Sequence, residues 1–176
     1  MNEKPITVTG IIAATWGIIG LLILLSFAVW RLTPNAIEAL QMPLNWKHWL
    51  VFITSLFFMA YSEGYKGFQK SFSPRFAARA RHLSRNTTPL HLLLAPLFCM
   101  SYFHAPKRRV IATCILTVAI FIFILSFHLL PQPWRGLLDA GVVVGLIWGI
   151  IVSMVLCIKA FTDDQFSRDA EVVETT

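Results

Sequence analysis

The chain has 176 residues, 56% apolar and only 14% charged, whereas a soluble domain carries roughly 25% charged residues. That composition excludes an ordinary water-soluble fold. The net charge of +6 would suggest nucleic acid in a soluble protein, but here the basic residues flank apolar runs, so membrane topology and anionic lipid account for them.

Ile11 to Trp30 holds 20 residues without a charge, enough to cross the hydrocarbon core, which needs about 20. Backbone in lipid must satisfy its own hydrogen bonds, so this run is expected to be helical, over about 9–30. It is too long for the apolar part of a cleaved signal peptide and lacks a small-x-small cleavage site, so it reads as an uncleaved anchor. Pro34 and Asn35 are expected to break the chain into a short loop.

The second candidate span, about 46–65, is weaker. Trp46 and Trp49 mark one end and Tyr61 and Tyr65 the other, at the headgroup depth that aromatic residues favour. Trp46 to Tyr65 would cover about 28 Å as a helix. Glu63 lies beside these tyrosines, and a local ion pair with Lys66 is its expected role; as an intramembrane carboxylate it would instead mark a proton or substrate path.

Lys66 to Arg85 carries six basic residues and no acid. Ser73-Pro74 reads as a helix start, with serine capping and proline suited to the first position. At 100° per residue, Phe76, Ala77, Ala80 and Leu83 share one side. Arg75, Arg79, Arg81, His82 and Arg85 share the other. The pattern predicts a cationic amphipathic helix in the cytoplasmic interface, binding lipid headgroups together with Lys107, Arg108 and Arg109. Pro89 to His104 is apolar but only 16 residues long, with Pro96 near its middle. It reads as a re-entrant or interfacial segment, which makes 73–104 an interfacial region.

Val110 to Leu130 gives 21 uncharged residues and a further span. Pro131-Gln132-Pro133 then turns the chain into a last helix over about 137–161. There Arg135 and Asp139 are i, i+4 partners and Asp139 favours the first-turn dipole. Residues 162–176 read as an acidic, disordered tail.

Basic residues choose among topologies. With spans at 9–30, 46–65, 110–130 and 137–161, twelve lie inside and three outside. A fifth span at 89–104 gives eight to seven. Three spans give thirteen to two, and only the aromatic ends of the second run argue against that. The expectation is therefore a single all-α polytopic membrane domain over 1–161, with four transmembrane helices and both ends in the cytoplasm, in a plasma or bacterial inner membrane.

Gly141, Gly145 and Gly149, continued by Ser153 and Cys157, make one stripe of the last helix flat. Flat stripes let helix backbones approach closely in lipid. The partner is either within the chain, such as Ala13, Gly17 and Gly20 of the first helix, or another subunit. His48 and His128 fall at matched depth on neighbouring helices, as axial ligands of a b-type haem would; hydrated histidines at helix ends give the same pattern, as do His91 and His104 on the inner side. The three cysteines, Cys99, Cys114 and Cys157, lie in apolar stretches without metal-ligand spacing and read as small buried hydrophobes. The sequence carries no Walker A, HExxH, GxSxG or dinucleotide-glycine pattern. The Asn86-Thr87-Thr88 sequon is silent on a cytoplasmic face.

These features favour a non-catalytic accessory or assembly subunit of a membrane complex, with membrane lipids and a membrane protein or a second copy as partners. The alternatives are a haem- or quinone-linked electron-transfer protein and a small oligomeric transporter.

Overall fold

A computed structural model describes residues 6–163, 166 and 170–172. Among the described residues the chain is all-helical, and three of its helices are long and apolar enough to cross a membrane. In chain order these residues form α1 (Val8–Gln41), α2 (Trp46–Met59), a π-helix (Ala60–Phe72), α3 (Ser73–Arg85), α4 (Pro89–Leu93), α5 (Ala95–Cys99), α6 (Lys107–His128) and α7 (Trp134–Thr162). The three long apolar helices are α1, α6 and α7. The expected disordered tail lies largely outside the described residues.

Helix α1 does not stop at Pro34. It runs 34 residues with that proline inside it. The Thr33 hydroxyl, beside the proline, donates to the Val29 carbonyl one turn back in the same helix at 2.7 Å. Beyond the proline, Asn35 donates to the Asp139 carboxylate at 3.0 Å, and Ala36 and Ala39 are buried. The partners that hold this extension lie about a hundred residues away, so local turn chemistry loses to tertiary packing.

The segment after α2 also departs from expectation. Ala60–Phe72 is a π-helix of 13 residues, whose i→i+5 hydrogen bonds make a wider coil. Residues five apart then share a side. Lys66 Nζ lies 5.0 Å from the Tyr61 ring centre and Lys70 Nζ 4.5 Å from that of Tyr65, the range of cation–π attraction. Lys66 therefore sits on Tyr61, and the expected Glu63–Lys66 ion pair does not form. Ser73 caps nothing: α3 follows directly on the π-helix, and the Ser73 hydroxyl is buried against Ser153 at 2.8 Å.

The chain divides into two compact units. The first comprises Met1–Ile23, Phe72–Leu116 and Ser153–Thr176; the second comprises Leu24–Ser71 and Thr117–Val152. In the first, α3 is enclosed: Phe76, Ala77, Ala78, Ala80 and Leu83 are buried, with Ala13, Ala95, Phe98, Cys99 and Cys157 in the same core. Small residues set the spacing. A Cβ on Gly17 would lie 2.9 Å from Cys99 Sγ, and one on Gly20 would lie 2.6 Å from the Pro96 ring. Gly17 and Gly20 of α1 thus face the 95–99 segment, while Gly10 faces Ser84.

In the second unit, Gly141, Gly145 and Gly149 face α2 and the π-helix. A Cβ at 141 would meet Ser55 and Met59, one at 145 would meet Glu63, and one at 149 would meet the Phe68 ring. Trp148 lies against Gly64 and donates to Gln69 at 3.1 Å. Helix α7 begins at Trp134, three residues earlier than expected, so Asp139 lies past the first turn. It is buried, with Asn35 at 3.0 Å and Arg135 Nε at 3.9 Å.

Candidate functional site: a buried arginine and the residues around it

Ser73–Arg85 is helical over the expected residues, but its polar side is not uniformly solvated. Arg79 is 1% exposed. The residues around it, Ala77, Ala78 and Ala80, are too short to hold neighbouring elements away, so backbone closes over the guanidinium. Arg79 Nε donates to the Phe98 carbonyl at 2.7 Å. Nη2 donates to Phe103 at 2.8 Å, and Nη1 to His104 at 3.3 Å and Ala170 at 3.2 Å, with a longer contact to Glu171 at 3.4 Å. The guanidinium carbon lies 4.2 Å from the Phe98 ring centre. Burial pulls the Arg79 pKa down to about 10, which still leaves it cationic at neutral pH. Five main-chain carbonyls and a ring face answer one buried charge, which is how a lone cation is tolerated out of water. Arg79 is therefore not an exposed headgroup ligand. A helical wheel cannot separate it from Arg75, Arg81 and Arg85, which are half-buried and engaged by neighbours. The alanines on either side were the available signal.

The segment that supplies these carbonyls is 89–104. It forms two five-residue helices, α4 and α5, with Thr88 accepting from the His91 N–H at 3.3 Å as the cap of α4. His104 adopts φ 49°, an uncommon backbone for a residue with a side chain. His91 Nε2 and His104 Nδ1 lie 3.1 Å apart, and the His91 ring packs on Phe98 at 4.6 Å.

Burial lowers the His91 pKa from its ordinary 6.5, with the neighbouring His104, His82 and Arg79 acting in the same direction. A histidine kept neutral in the fold takes up its proton first in the unfolded chain. Its contribution is therefore constant above pH 6.5 and is lost as pH falls from 6.5 towards the lowered native value. Melting temperature measured from pH 7.5 to 5 should fall in the wild type, and His91→Gln should flatten that slope; an unchanged slope would remove His91 as its cause.

The basic cluster at the start of α6 is split. Lys107 and Arg108 are exposed. Arg109 is paired with Glu171, Nε to Oε2 at 2.8 Å and Nη2 to Oε1 at 3.3 Å. Arg81 donates to the Asp163 carbonyl at 2.9 Å. Sequence reasoning assigns these basic residues to lipid headgroups and does not foresee that Arg109 meets a carboxylate of the chain itself.

The two histidines singled out as haem ligands each have a local partner. His48 Nδ1 accepts the Asn45 N–H at 3.1 Å, a reciprocal cap for α2, and its ring packs edge-on against Trp134 at 4.5 Å. His128 Nε2 accepts from Arg135 at 3.4 Å. Among the described residues no group of three or more His, Cys, Asp or Glu is placed to hold a metal ion. Cys99 and Cys157 are buried, as expected of small hydrophobes, whereas Cys114 is exposed on α6.

Compared with known protein families, with curated proteins and with solved structures, the chain matches none.

Proposed function

We propose that this chain is a non-catalytic accessory or assembly subunit that sits in a plasma or bacterial inner membrane and docks a second membrane protein through α6. The observation that carries this reading is the state of α6 itself. It has 22 residues, and none is buried by the rest of the chain. Ile115 and Phe121 are 63% and 64% exposed. Exposure to lipid is no penalty, but lipid gives helices no hydrophobic drive to associate either, so a membrane helix is held by packing contacts. Helix α7 has such contacts along its glycines. On α6 only scattered positions such as Val110, Thr113, Thr117 and Phe127 are half-covered and none is fully buried, which leaves most of its surface open to another chain.

The proposed topology is four spans with both termini cytoplasmic, α2 and the start of the π-helix supplying the second. The twelve-to-three division of basic residues supports it. The exposed Lys107 and Arg108, at the cytoplasmic end of α6, would meet anionic headgroups there.

Photo-reactive residues placed at 115 and 121 test the docking reading in intact cells. The expected result is a discrete adduct with a different membrane protein. An adduct of twice the chain's own mass would replace the accessory role by homo-oligomerisation, and lipid adducts alone would overturn docking.

A further inference from the structure

Two guanidinium groups from different elements converge on one residue near the C-terminus. Arg109 of α6 holds the Glu171 carboxylate through two N–H donors, at 2.8 and 3.3 Å. Arg79 of α3 reaches the Glu171 carbonyl at 3.4 Å and that of Ala170 at 3.2 Å. The fork of N–H groups that grips a carboxylate in this way grips a phosphate equally well.

We propose that Arg109, with the exposed Lys107 and Arg108 beside it, forms a phosphate-binding site that the Glu171 carboxylate occupies from within the chain, so that a phosphate group, on an anionic lipid or free in solution, competes with Glu171 for it. Three features make Glu171 a displaceable occupant. Its ion pair with Arg109 is open to water, the side chains being 42% and 31% exposed, and exposed pairs hold weakly. Its backbone sits at φ 49°, uncommon for a residue with a side chain. Its contact with Arg79 is the longest that Nη1 makes, and that nitrogen keeps the His104 carbonyl at 3.3 Å when Glu171 leaves. The Arg79 pocket thus outlasts the exchange. Lys107 and Arg108, exposed just before Arg109 in the chain, raise the local positive potential, and a phosphate brings more charge to it than a single carboxylate. The consequence is a switch: Glu171 is docked when phosphate is scarce and released when phosphate binds. This inference does not depend on α6 having a protein partner.

The test uses the full-length protein in nanodiscs. In one arm, native mass spectrometry reads the fraction retaining phosphatidylglycerol. In the other, inorganic phosphate is titrated in nanodiscs of phosphatidylcholine alone and the shift in melting temperature is followed. Glu171→Gln removes the competing charge with little change in shape. Releasing an exposed ion pair should tighten binding by about two- to fivefold, and the gain should shrink at high salt. Adding Arg109→Gln should remove the gain. A gain in the first arm alone identifies the lipid headgroup as the source, and one in the second alone identifies free phosphate. A variant that melts like the wild type yet shows no gain in either arm overturns the proposal, as does a gain that survives Arg109→Gln.

Discussion

Replacing Gly141 by leucine is expected to be the most damaging change along the Gly141, Gly145 and Gly149 stripe of α7. A Cβ there would touch the Ser55 hydroxyl and lie 2.9 Å from the Ser55 carbonyl oxygen and 3.1 Å from Met59 Cγ. The carbonyl belongs to a helix backbone and cannot swing aside, so the two helices must part. Parting forfeits many contacts of about 0.1–0.2 kcal/mol each along the stripe, and acyl chains offer no drive to restore them. Forcing side-chain atoms into a closed contact costs typically up to about 3 kcal/mol, or roughly 6–12 °C in melting temperature for a chain of this size. The neighbouring glycines set an order. A Cβ at 145 would lie 3.2 Å from Glu63 and 3.4 Å from the Met59 oxygen, so Gly145→Ala should cost less than Gly141→Ala. Trimming Ile151, which is 57% exposed, to alanine should change little. Thermal melts of the four purified variants check the order. Equal melting temperatures for Gly141→Leu and Ile151→Ala would mean that the stripe has no packing role.

Arg79→Leu is the second large effect. It removes the donors from five main-chain carbonyls, three of them in the 98–104 segment. Buried acceptors left unsatisfied cost about 1–3 kcal/mol each, and hydrogen bonds to a charged group are worth more than neutral ones. A loss on the order of 4 kcal/mol follows, a large share of the marginal stability of most folded proteins. Arg79→Lys keeps the charge but replaces a planar fork by a point charge with three donors. It cannot reach carbonyls spread around the edge of the guanidinium and should recover only part of the loss. Limited proteolysis between 86 and 106 reads the effect directly: rapid cleavage in Arg79→Leu, slower in Arg79→Lys and slowest in the wild type. Wild-type resistance in Arg79→Leu would show that this segment holds itself.

What the sequence made legible is what lipid dictates. Uncharged runs of about 20 residues must be helices, and α1, α6 and α7 are found where those runs lie. Ser73-Pro74 was readable only as a boundary: it marks where the π-helix passes into α3, not a capped helix start. What could not be read depends on partners far along the chain. Pro34 looks like a stop until Asn35 is seen bonded to Asp139. The π-helix has no signal in an α-helical wheel, since its aromatic–cation pairs are five apart and fall out of phase at 100° per residue. Arg79 shows the same limit at the candidate site. Periodicity placed it among the solvated arginines, while its short alanine neighbours let the 89–104 backbone cover it. The stripe of small residues in α7 was visible as a packing surface, but its partner was not, because flatness has no address: Gly141 and Gly145 face α2 and the π-helix, and Gly17 and Gly20 face Ala95, Cys99 and Pro96.

The most direct measurement of the proposed role is the mass of the wild-type particle released from its own membrane. Native mass spectrometry after gentle extraction into lipid nanodiscs, with a visible spectrum of the same sample, reads partner, copy number and bound pigment together. The accessory-subunit account predicts one copy of this 19.9 kDa chain with a second membrane protein in fixed ratio, lost when Ile115 and Phe121 of α6 are changed to alanine, and no haem band. A particle that contains only this chain, or one that carries a stoichiometric haem absorption, would contradict it.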